Sequence, residues 1–152
     1  MSKTKVAPRG IRNNNPGNIR WGDEWRGLLV RAARTDKDFC QFVDLKWGIR
    51  ALVIVLFNYR DKSGIPGVGG KGIDTIREII TRWAPPNEND TEAYIASVAK
   101  TVGVKDDEPL NLFDLVRCRA LVKAIILHEN GQQPYADSQL DVGIKLAYES
   151  RL

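Results

Sequence analysis

Histidine is nearly missing from this chain: His128 is the only one, and the only cysteines are Cys40 and Cys118. One imidazole and two separated thiols make no zinc set, and no acidic cluster has the spacing of a calcium loop. A Ser-His-Asp or Cys-His hydrolase would have to use His128, which neighbours Glu129 and so points to a different helix face. Both cysteines sit among apolar residues and read as buried thiols, with a single disulfide as the alternative. Long apolar runs are also lacking. The longest, Ala51 to Phe57, is far too short to cross a bilayer, so no membrane insertion is expected. The opening MSKTKVAPRG has no apolar segment behind it, which reads as no signal peptide and synthesis in a host cytoplasm.

What is present fits one globular domain. The 152 residues are 43% hydrophobic and 28% charged, enough to bury a core and too apolar for disorder. The net charge of +4 calls for an anionic partner or surface. Lys and Arg are scattered along the sequence and no helix-turn-helix pattern appears, so nucleic acid is not the expected partner.

Residues 1–10 read as a flexible lead-in and residues 11–152 as the folded domain. RGIRNNNPGNIRWGDEWRG, from Arg9 to Gly27, holds too many Asn, Gly and Pro residues for a helix or a regular strand. Ile11, Ile19, Trp21 and Trp25 are spaced through it, so it reads as a loop pinned by apolar anchors. The runs LLVRAA and DFCQFV, separated by RTDKD, predict a β-hairpin between Leu28 and Val43. Helices are predicted at Lys46 to Tyr59, Ile73 to Trp83, Asp90 to Thr101, Leu112 to Gly131 with Asn111 as cap, and Ser138 to Tyr148. The fold class expected is therefore α+β, mainly α, with one small β-hairpin and about five helices. GIPGVGGKG, Gly64 to Gly72, is not a phosphate loop: the positions needing Gly and Ser or Thr hold Ile65 and Gly72. It reads as a connection or lid.

The most informative stretch is Leu112 to Gly131. Cys118, Val122 and Ile125 share one helical stripe, and four residues later the stripe reaches Glu129. Partial burial and the negative end of the helix dipole would both raise the pKa of a carboxyl placed there. A protonated carboxyl is the general acid that glycosidic-bond cleavage needs. The plainer alternative is a helix end fraying into water at Asn130-Gly131. Asn15 and Asn18 are candidates to orient N-acetyl groups, and Trp21, Trp25 and Tyr135 to stack on sugar rings. Asp23, Glu24 and Asp44 are candidates for a second carboxylate. For each, a turn, core or surface role is the competing reading.

NNNPGNIRW, the F-x-x-F run at Phe39 to Phe42, W-G-x-R-A-L at Trp47 to Leu52, RWAPPNENDTEAYI at Arg82 to Ile95 and the closing HENG together resemble small phage-encoded proteins. These are often labelled virion structural proteins and look like cell-wall hydrolases of the lysozyme and lytic-transglycosylase superfamily. The resemblance implies a lysozyme-like fold that cuts peptidoglycan glycan strands without a cofactor or metal. It also implies Glu129 as the acid and action at the cell wall as an endolysin or virion-borne enzyme; a monomer is expected. In the relatives compared, the glutamate helix precedes the Asn-rich loop, whereas here it follows. Two other functions compete: a non-catalytic virion structural protein, and a basic nucleic-acid-binding module.

Overall fold

A computed structural model describes residues 6–85 and 90–151. Its helices are α1 (Arg9–Arg12), α2 (Leu45–Arg60), α3 (Ile76–Trp83), α4 (Thr91–Val102), α5 (Leu115–Asn130) and α6 (Asp137–Glu149), with a 3-10 turn at Arg31–Ala33. Two compact units share the chain, Met1–Leu52 with Ile125–Leu152 and Val53–Ala124. The division points fall inside α2 and α5.

The five longer helices overlap the predicted ones, although α3 opens at Ile76 instead of the Ile73 expected, and their ends follow local capping chemistry. The Asp44 carboxylate accepts from the Lys46 amide at the start of α2. Thr75 and Asp90 do the same for α3 and α4, accepting from Glu78 and Ala93. The start expected for α5 is corrected: it opens at Leu115, with the Asp114 carboxylate accepting from the Arg117 amide at 3.2 Å. Asn111 instead closes a turn one step earlier by accepting from the Phe113 amide. The Pro86 part of the predicted break, and residues 86–89 of the RWAPPNENDTEAYI motif, lie outside the described residues.

The predicted hairpin does not form. No strand or sheet occurs among the described residues, so the fold is all-helical, not α+β. Two isolated antiparallel bridges, Arg20 with Phe39 and Leu28 with Phe42, stand in its place. Side chains take the positions a ladder would need. The side-chain Oε1 of Gln41 accepts from the amides of Thr35 and Asp36, and the Asp36 carboxylate accepts from those of Asp38 and Phe39. The extended run after Asp36 then distributes its amides over several partners: Cys40 donates to Ile19, Phe42 to Asn13 and Val43 to Gly27. Alternation of apolar residues was real, but it serves a loop wrapped on three neighbours.

In the first unit, Cys40, Phe42 and Ala51 form a buried cluster on which Ile19, Trp21, Trp25, Leu28 and Trp47 pack. These include three of the four anchors expected for the Asn-rich loop. That loop crosses α2 so closely that a Cβ at Gly48 would overlap the Asn14 carbonyl. In the second unit, the glycine-rich loop is clipped to the first turn of α3. Ile65 donates its amide to Glu78 at 2.7 Å and Gly70 donates to Asp74 at 3.3 Å. Burial and the neighbouring Glu78 carboxylate push the Asp74 carboxyl above its ordinary range, partly offset by the Gly70 amide.

Candidate functional site

α5 stays buried along the expected stripe: Cys118, Val122 and Ile125 are fully inaccessible. One turn further the stripe reaches Glu129, which is half-buried. The helix stops at Gly131, whose φ of 70° is left-handed and whose amide donates to the Leu127 carbonyl. Two successive side chains at this helix end reach the Asn-rich loop. Asn18 donates from Nδ2 to Oε2 of Glu129 at 3.1 Å. Asn130 donates from its own Nδ2 to the Pro16 carbonyl at 2.8 Å. The loop is therefore fastened to the residue that carries the carboxylate and to the residue after it.

The loop is shaped from within. Asn15 is fully buried: its Nδ2 donates to the carbonyls of Ile19 and Cys40, and its Oδ1 accepts from the Ile19 amide. That makes Asn15 a framework residue in place of the sugar-binding role expected of it. Asn14 and Asn18 both have positive φ, 51° and 52°, a conformation asparagine tolerates better than most residues. Asn13 donates to the Asp36 carboxylate and accepts from Gln41. The consecutive asparagines thus build the loop, and Asn18 is the one among the expected amides that faces the carboxylate.

Gly10 and Asn130 were not singled out in the sequence, yet they complete this corner. A Cβ at Gly10 would lie 2.6 Å from Oδ1 of Asn130, 2.7 Å from Oδ1 of Asn18 and 2.9 Å from the Asn15 carbonyl. Only glycine allows those three oxygens to converge. Both carboxamide oxygens are buried and have no hydrogen-bond partner among the described residues. The signal for Asn130 was adjacency to Glu129 at a helix end; for Gly10 no sequence signal pointed beyond a turn.

The other expected residues are placed as follows. Trp21 donates from Nε1 to the Asp36 carbonyl at 2.7 Å, and the Arg34 guanidinium covers its ring at 4.2 Å. Trp25 packs on the Cys40 cluster with Nε1 buried and without a hydrogen-bond partner among the described residues. Tyr135 is half-buried with its hydroxyl inaccessible and unpartnered, and burial raises its pKa above the usual phenol value. Asp23 and Glu24 are exposed, and Asp44 is the exposed cap of α2. These three stand in solvated positions, so a second carboxylate is not assigned among them. Among the described residues no group of three or more His, Cys, Asp or Glu side chains is placed to hold a metal. Cys40 and Cys118 are both buried thiols in no disulfide among the described residues, and burial pushes Cys40 up to about 11.

No family model matches the sequence. A curated relative does: Protein P5 of Pseudoalteromonas phage PM2 is 36% identical over 146 residues, covering 93% of this chain and 83% of that protein. The chain belongs to the Protein P5 family. The likeness supports phage origin and, by its extent, covers both compact units. It does not support membership of the lysozyme-like hydrolases that the sequence motifs resemble. Within the P5 family member described here, no helix of the described residues is long and apolar enough to cross a membrane.

Proposed function

We propose that this phage protein cleaves the glycan strands of bacterial peptidoglycan, with Glu129 as the general acid. The observation that carries the proposal is the Asn18 to Glu129 hydrogen bond at 3.1 Å. It supports a carboxyl held in one rotamer at the end of a buried helix, beside a loop built of amides. As general acid, Glu129 gives up its carboxyl proton. In the reaction that proton passes to the glycosidic oxygen as the bond to the anomeric carbon breaks. The positive charge left on the sugar is then met by water, or by its own 6-hydroxyl with formation of an anhydro ring, and the proton of the attacking oxygen returns to the Glu129 carboxylate. A route through the 6-hydroxyl requires no second carboxylate, which suits the solvated positions of Asp23, Glu24 and Asp44.

A second reading has its own support. Asn13, Asn14 and Asn15 donate their amides to Asp36, Phe42 and Cys40 and so fasten the loop to the segment that follows it, and Asn130 ties the loop to α5. The same geometry serves a non-catalytic virion structural protein in which Glu129 is one more clasp. Glu129→Gln separates the two, because glutamine keeps an oxygen for Asn18 while losing the transferable proton. Loss of muralytic activity in a folded variant supports the enzyme; unchanged function supports the structural protein.

A further inference from the structure

We infer that the face carrying Arg12, Arg20, Arg34 and Lys37 is a docking surface for the phosphate backbone of nucleic acid. This goes beyond the proposed chemistry and does not depend on Glu129. Residues 1–50 hold 11 Lys and Arg against 5 Asp and Glu, a net +6 compared with +4 for the whole chain. Folding gathers what the sequence scatters. The guanidinium groups of Arg9 and Arg20 both lie over the Phe39 ring, at 4.5 Å and 4.8 Å. Arg34 lies over Trp21, whose indole is hydrogen-bonded to Asp36. Arg9, Arg12 and Lys37 line one open cleft of about 520 Å³ that also includes Asp36.

The charges in this group are not equivalent. Arg9 is answered by Asp36 at 2.6 Å and by Asp38 at 3.2 Å, which makes it part of the framework. Arg12, Arg20, Arg34 and Lys37 have no carboxylate within ion-pair distance among the described residues. Four uncompensated cations, two stacked on aromatic rings and so held in place, fit a repeating anion. A lipid surface fits less well. An interfacial anchor presents Trp and Phe outward beside its cations, whereas here guanidinium groups cover the rings. A protein partner would want a centre depleted of charge, which this face does not have.

Four phosphate contacts give a slope of log K against log salt of about −3 to −4. Anisotropy of a short labelled DNA duplex, titrated with the full chain between about 50 and 200 mM salt, measures it directly. Arg12→Gln, Arg20→Gln and Lys37→Gln should each reduce the slope by about 0.9, with thermal melting confirming a folded protein. Lys100→Gln, on the exposed side of α4, should leave it unchanged. Glu129→Gln should bind as the parent does. No binding at the lowest salt, or a slope indifferent to all three substitutions, overturns the assignment. Stronger capture by anionic phospholipid vesicles or by purified peptidoglycan than by the duplex also overturns it, and points to a membrane or wall surface instead.

Discussion

Asn18 holds Glu129 across 111 residues of sequence, its Nδ2 donating to Oε2 at 3.1 Å from a backbone at φ 52°. A left-handed residue thus supplies the hydrogen bond that orients the carboxylate. The two features can be separated by substitution, because glycine keeps the backbone conformation while removing the amide.

Asn18→Gly should therefore melt close to the parent, losing about 1 kcal/mol or less, while Asn18→Ala loses more because it also forces a Cβ into positive φ. In activity the order should differ: both variants remove the Asn18 hydrogen bond to Glu129, so both should lower turnover. Thermal melts and turbidity assays on the same preparations check the two orders. Equal activity of parent and Asn18→Gly would show that the hydrogen bond does not matter to function.

Gly10→Ala places a methyl group against Oδ1 of Asn18, Oδ1 of Asn130 and the Asn15 carbonyl. Overpacking of this kind costs about 1–3 kcal/mol. A lowered melting temperature is expected, with loss of activity larger than unfolding at the assay temperature explains. A Gly10→Ala protein as stable and active as the parent would contradict the convergence of these oxygens.

Asp36 carries a pH dependence of definite sign. The Arg9 guanidinium holds its carboxyl well below the usual carboxylate range, helped by the Phe39 and Asp38 amides and Asn13 against a burial cost. An unfolded aspartate ionises near about 3.9. The folded form then binds fewer protons than the unfolded one, so Asp36 contributes stability that is fully present above about pH 4–5 and lost progressively below it. Denaturant melts at descending pH should show a steeper acid loss in the parent than in Asp36→Asn. Parallel curves would remove Asp36 from the linkage.

Cys40 and Cys118 should be silent toward thiol reagents. Both side chains are fully buried, and the Cys40 thiol is pushed up to about 11 by burial. Two thiols should titrate with Ellman's reagent in denaturant and essentially none in the native protein at neutral pH. Rapid native labelling would mean that the cluster around Cys40 opens.

The helices were legible because the helical period of α2 and α5 and the Asp90 cap of α4 agree with the packing, whereas α3 opens three residues after the Ile73 expected, behind a Thr75 cap that was not read. The hairpin was misread because alternation cannot reveal who accepts the hydrogen bonds. Gln41 and Asp36 take amides that a partner strand would otherwise bind, and single polar side chains leave no periodic trace. At the candidate site, Glu129 was readable from one stripe of α5, and Asn18 from its residue type. Asn15 looked identical in sequence but turned inward, since its neighbours Ile19 and Cys40 needed their carbonyls satisfied. The gathering of Arg12, Arg20, Arg34 and Lys37 depended on where the loop folds over Phe39 and Trp21, which no local pattern encodes.

The most direct test of the central claim is release of soluble muropeptides from purified peptidoglycan by the parent and by Glu129→Gln, followed by mass spectrometry. The account predicts glycan fragments from the parent, with an anhydro-muramic or reducing sugar end, and at least a hundredfold less from the folded variant, in line with loss of a general acid worth about 10²–10⁴. Equal release by both proteins, or none by the parent, would contradict it.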